Sequence, residues 1–249
     1  MSDTPETTVS QPPPERVFPP WSAGRIVFWI AVGVVLSIVI GALIGVAVAT
    51  LSIWITGGID SDFGQVTGSV AALLQGSMIF ALIWFLLNRK GYSLADAWGS
   101  FSIEWRQLGL VTLAGVAFIS AADLVIRVLH LDSPFTLPAW DWRILWANEI
   151  LITCLTVPFA EELLFRGLLF RAFRLRFSSL HSAFFSSLIF AIAHTHYLTT
   201  PPRLVTVFLM GLVCAYLVER TRSLTPGVVF HFVANFSAAT IYFLAHYSP

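Results

Sequence analysis

The sequence predicts an all-α fold, a polytopic transmembrane helical bundle of about seven spans (six to eight), and three observations carry that prediction. Hydrophobic residues make up 57% of the chain and charged residues 11%, with a mean hydropathy of +0.80. That is more apolar surface than a soluble domain can hide. The apolar residues also fall into long runs, separated by turn signals: Gly57-Gly58 with Asp60 and Asp62, then Asn88-Arg89-Lys90-Gly91, then Asp132-Ser133-Pro134.

Taken in order, residues 1–24 carry Pro12-Pro13-Pro14 and Pro19-Pro20 among polar residues. They read as a disordered, Pro-rich cytoplasmic tail with too little apolar content to fold. Residues 25–249 read as one transmembrane helical domain. Its expected spans are Ile26–Ile55, Val66–Leu87, Leu108–Leu129, Ile144–Phe173, Ser179–His194, Leu204–Val218 and Pro226–Ala245. The first is far longer than the apolar core of a signal peptide and is expected to stay as an anchor. The fourth is overlong and charged, and the fifth and sixth are short.

Lys with Arg and Asp with Glu each total 14, so no charge excess points to nucleic acid as a partner. Placement is more informative. Arg89, Lys90 and Arg106 follow the second span, Arg174 and Arg176 the fourth, and Arg220 and Arg222 the sixth. The intervening connectors are poor in basic residues, which puts the N-terminus in the cytoplasm and the C-terminus outside, with the plasma (cell) membrane as the expected location. Cys154 and Cys214 stand in apolar runs, as small hydrophobes more than as a disulfide.

Ionisable residues inside spans are costly, so each is a site candidate. Three clusters qualify: Glu161, Glu162 and Arg166; Phe190 and His194; His231 and Asn235. Glu162 and Arg166 are four apart on one helical face, an ion-pair spacing equally readable as structural. Glu161 points about 100° away and is left unpaired, available as a general base toward water. Pro158 interrupts the helix one turn before the acids and gives water a reason to be there. Glu161 and His194 are nearly equidistant from a turn near Phe177, about 25 Å along either arm, so an antiparallel hairpin levels them. His231 and Asn235, one helical turn apart, can aim an imidazole and a carboxamide at one point, the equipment of an oxyanion hole. His231 fits the common depth less well, because it follows Pro226 so closely. Asp123 and Arg127, again four apart, read as a buried ion pair. Together the three clusters imply an intramembrane catalytic cavity.

The order Glu-Glu-x-x-x-Arg, Phe-x-x-x-His, His-x-x-x-Asn resembles the signature of the CAAX protease and bacteriocin-processing family, and is similar to CAAX prenyl protease type II. Glu161, Glu162 and Arg166 match the first motif, Phe190 and His194 the second, His231 and Asn235 the third. The resemblance implies an intramembrane endopeptidase with a protease-like core at about residues 144–245. It implies that Glu161 and His194 activate water, that Arg166 holds Glu162 in support, and that His231 and Asn235 stabilise the oxyanion. The implied partners are the lipid bilayer and a membrane-embedded or lipidated peptide or protein, prenylated or bacteriocin-like. Members are described as metalloproteases, yet Asn is a poor zinc ligand and no His-Glu-x-x-His occurs. A glutamate-dependent reaction with no obligatory cofactor or metal is therefore expected, zinc being the alternative. Two other functions fit the polar clusters: a non-catalytic immunity or scaffold protein binding a lipid-linked ligand or partner helix, and a transporter.

Overall fold

The computed structural model describes residues 18–58, 76–77, 79–131 and 154–247. Among these the ordered elements are all helical. Four helices are long and apolar enough to cross a membrane: α1 (Ala23–Thr56), α4 (Trp105–Val128), α7 (Pro201–Thr221) and α8 (Thr225–Tyr247). Apolar α2 (Ile79–Arg89) and α6 (Ser179–Ala193) are shorter, α3 (Leu94–Trp98) is a single turn or so, and α5 runs over 154–174. The chain is a membrane protein, since Val35, Leu43, Val46 and Trp54 of α1 and Leu110, Leu113 and Leu124 of α4 turn outward, a surface that lipid and not water accommodates.

The expected second and fourth spans begin outside the described residues, as do residues 1–17 of the expected tail. The tail boundary shifts toward the N-terminus. Trp21 is buried against Trp29, Phe18 stacks edge-on to Tyr92, and Arg171 lies over the Phe18 ring, so apolar burial already begins there. Ser22 caps α1 by accepting from the Arg25 N–H at 3.4 Å.

The core is built by α5 to α8. A short turn folds α6 back along α5; α6 packs on α7, α7 on α8, and α8 on α4. Gly115 permits the last contact, for a Cβ there would come within 2.9 Å of Val233, the small-residue device of close helix pairs in membranes. Arg174 of α5 reaches Glu219 of α7 at 3.1 Å and closes one end of the bundle.

The start of α8 is set below the surface by α3. Ser93 and Asp96 form a reciprocal cap on α3. Hydrogen bonds from that segment then grip the turn before α8: the Leu224 N–H donates to the Trp98 carbonyl at 2.9 Å, Trp98 Nε1 donates to Thr225 at 3.0 Å, and the Ser223 hydroxyl donates to the Ser100 carbonyl. Gly99 turns with φ 79°, and the Arg222 carbonyl occupies the place of any Cβ. Ser223 and Leu224 are buried in consequence.

One ion pair departs from expectation. Asp123 and Arg127 meet at 2.6 Å, yet their side chains are 35% and 50% exposed. The pair lies near the C-terminal end of α4 and faces outward.

Candidate active site

Pro158 has no N–H to give and enters α5 at the first helical turn of Val157–Glu162. The helix is not broken; it rewinds. A π turn over 154–156 precedes that segment and a π-helix over Leu163–Phe170 follows, winding that concentrates at functional sites. The two glutamates stand at the junction, and neighbours in sequence diverge into two environments.

Glu162 turns inward and is fully buried with Arg166. Its Oε1 accepts from Arg166 Nη1 at 2.9 Å and from His231 Nδ1 at 3.0 Å. Arg166 lies over the Phe190 ring, 4.2 Å from guanidinium carbon to centroid, a cation–π contact strengthened by desolvation. The same ring meets His194 and His231 edge-on, at 4.7 Å and 5.9 Å between centroids. Phe190, expected to support the site or merely to fill the core, touches three polar side chains at once, Arg166 over its face and the two imidazoles edge-on.

Glu161 turns the other way and keeps 23% of its side chain exposed. Two imidazoles bracket its carboxylate: His194 Nε2 is 3.7 Å from Oε1, and His231 Nε2 is 3.7 Å from Oε2. Both distances exceed a hydrogen bond. His194 is the residue that ends α6. Its Nδ1–H donates at 2.8 Å to the carbonyl of Phe190, which the end of the helix would otherwise leave unpaired. A carbonyl only accepts, so in the neutral ring the Nε2 lone pair faces Glu161. His231 donates through Nδ1 to Glu162, so its Nε2 likewise faces Glu161.

The hairpin levelling of Glu161 with His194 is what the structure shows. The poor depth expected for His231 is not, because α3 draws the turn before α8 inward and His231 starts from a buried level. Asn235 follows one turn later on α8, half-buried. Gly211, Gly227 and Cys214, the last expected only as a small hydrophobe, also border Glu162 and Arg166. A Cβ at Gly211 would come within 2.9 Å of Arg166 Nη2, and one at Gly227 within 3.4 Å of Glu162 Oε2. Cys214 is buried with its thiol 3.7 Å from the Gly227 carbonyl. A glycine inside a helix is itself a signal of close packing, and Gly211 carried it.

Residues 142–237 match the family model for Type II CAAX prenyl endopeptidase Rce1-like proteins. The matched region holds every motif residue on which the resemblance was read, from Glu161 to Asn235. No curated protein and no solved structure matches the chain. The description of that family is of endopeptidases. Among the described residues no group of three or more His, Cys, Asp or Glu side chains is placed to hold a metal ion.

Proposed function

We propose that the chain is an intramembrane endopeptidase in which Glu161 and His194 activate water and His231 with Asn235 receives the oxyanion. The observation that carries this reading is the bracketing of Glu161 by two imidazole Nε2 atoms at 3.7 Å each. Glu161 Oε1 and the His194 Nε2 lone pair, facing across that gap, suit one water molecule that donates a hydrogen to each, leaving its oxygen lone pair for the scissile carbonyl.

In the first step the water oxygen bonds to the carbonyl carbon, the carbonyl π pair moves onto oxygen, and Glu161 takes the proton. His231 in its doubly protonated form donates Nε2–H to the oxyanion, with Glu162 behind Nδ1 as counter-charge. The Asn235 amide supplies the second donor. Collapse breaks the C–N bond, and the proton held by Glu161 passes to the leaving amine.

The substrate in this reading is a membrane-embedded or lipidated peptide, prenylated as the family description indicates or bacteriocin-like. The N-terminus is assigned to the cytoplasm of a plasma-membrane protein. No obligatory metal or cofactor takes part. The deciding experiment compares membrane peptidomes of cells carrying wild type and Glu161→Ala, followed by cleavage of the enriched peptide with purified protein after exhaustive chelation and metal analysis. A peptide whose amounts are equal in both strains overturns the endopeptidase reading; activity lost on chelation and restored by stoichiometric zinc overturns metal independence alone.

A further inference from the structure

Arg166 is wholly buried and carries five N–H donors. Nη1 is used on Glu162, while Nε and Nη2 have no hydrogen-bond partner among the described residues. Phe190 covers one face of the guanidinium, so further acceptors must lie in its plane. Of the buried oxygens without a hydrogen-bond partner among the described residues, Glu161 Oε2, Glu162 Oε2, Ser182 Oγ and Ser187 Oγ, it is Ser187 Oγ on α6 that shares the border of Gly211 with Nη2. Both groups border Gly211, each 2.9 Å from the place of its absent Cβ, so they are separated by at most twice that distance, the span one bridging water covers. Ser186, next in the chain and just as buried, differs in donating its hydroxyl at 3.2 Å to the Ala183 carbonyl.

We propose that Ser187 is a positioning residue acting through Arg166: its hydroxyl, beside the bare Cα of Gly211, holds one buried water that satisfies the second amino group of the guanidinium. Arg166 orients Glu162, and Glu162 orients His231, so the hydroxyl fixes the oxyanion side of the site without touching substrate. Water is the ligand because the two groups that face the notch are polar and one bridging molecule spans them. The inference rests on the endopeptidase reading.

The test measures kcat and KM of full-length protein in nanodiscs, with wild type, Ser187→Ala, Ser187→Cys and Ser186→Ala assayed on one membrane peptide across pH, alongside thermal midpoints. Losing one hydrogen bond to a charged group should lower kcat on the order of tenfold in Ser187→Ala. KM is expected to stay unchanged, the acid limb of the pH profile to move, and Ser186→Ala to keep wild-type kcat. Ser187→Cys preserves volume and is expected to share the kcat loss, which guards against a packing defect in the alanine variant. Equal kcat for Ser187→Cys, Ser186→Ala and wild type overturns the role of Ser187 while leaving the endopeptidase reading intact. Wild type that cleaves no better than Glu161→Gln overturns both.

Discussion

Glu161 and Glu162 are adjacent in the chain and opposite in setting. Glu162 belongs to a sealed half of the site, with Arg166 at 2.9 Å, His231 at 3.0 Å and Phe190 behind the guanidinium. Glu161 belongs to an open half, 23% exposed, with imidazoles at 3.7 Å on either side and 15% of the His194 side chain still accessible. In the proposed mechanism the difference decides which half reacts. A carboxylate whose Oε1 is held in two short hydrogen bonds is fixed in place, whereas one held near its neighbours but not against them can admit a water and change its protonation. The sealed half is what keeps the open half in place.

The largest effect expected from this contrast is on turnover. Glu161→Gln keeps the shape of the side chain and removes the proposed base, so cleavage of a membrane peptide should fall on the order of 10² to 10⁴-fold with the thermal midpoint nearly unchanged. Unfolding of that variant, together with a stable but inactive Glu162→Gln, would reverse the roles of the two acids.

In the sealed half the expected damage is to stability. Glu162→Gln strands the buried Arg166, at a cost of about 3–5 kcal/mol read as a lowered midpoint in detergent. Adding Arg166→Met removes the stranded charge, and part of the loss should return as a non-additive pair effect. Independent, additive losses would show that the two side chains are not coupled.

A smaller effect is expected where the two halves share one ring. Phe190→Leu keeps an apolar side chain but gives up a desolvated cation–π contact of about 2 kcal/mol and the edge contacts to both imidazoles. Stability and turnover should therefore fall together, in contrast to the separated effects at the two acids. A change in neither would mean that the ring only fills space.

The smallest belongs to the outward-facing pair. Asp123→Asn should cost no more than about 0.5 kcal/mol and leave turnover alone, because its partner Arg127 stays half exposed and is not stranded as Arg166 would be. A midpoint drop matching that of Glu162→Gln would show that exposure does not distinguish the two i,i+4 pairs.

The sequence by itself determined the helical class, because long apolar runs admit only helices or closed barrels in lipid. It determined the four-residue spacing of Glu162 with Arg166 and of His231 with Asn235, since helical periodicity is local. It also placed Glu161 opposite His194, because a short turn between two helices fixes their common level by counting. Tertiary structure alone decided the rest. The depth of His231 depends on Trp98 and Ser100 gripping the turn before α8, hydrogen bonds between segments far apart in the chain. The closeness of Arg166 to α7 depends on the missing side chain of Gly211, and the outward face of Asp123 on which helix happens to cover α4. Each is a contact between distant segments, and spacing along one helix carries no information about what lies across from it.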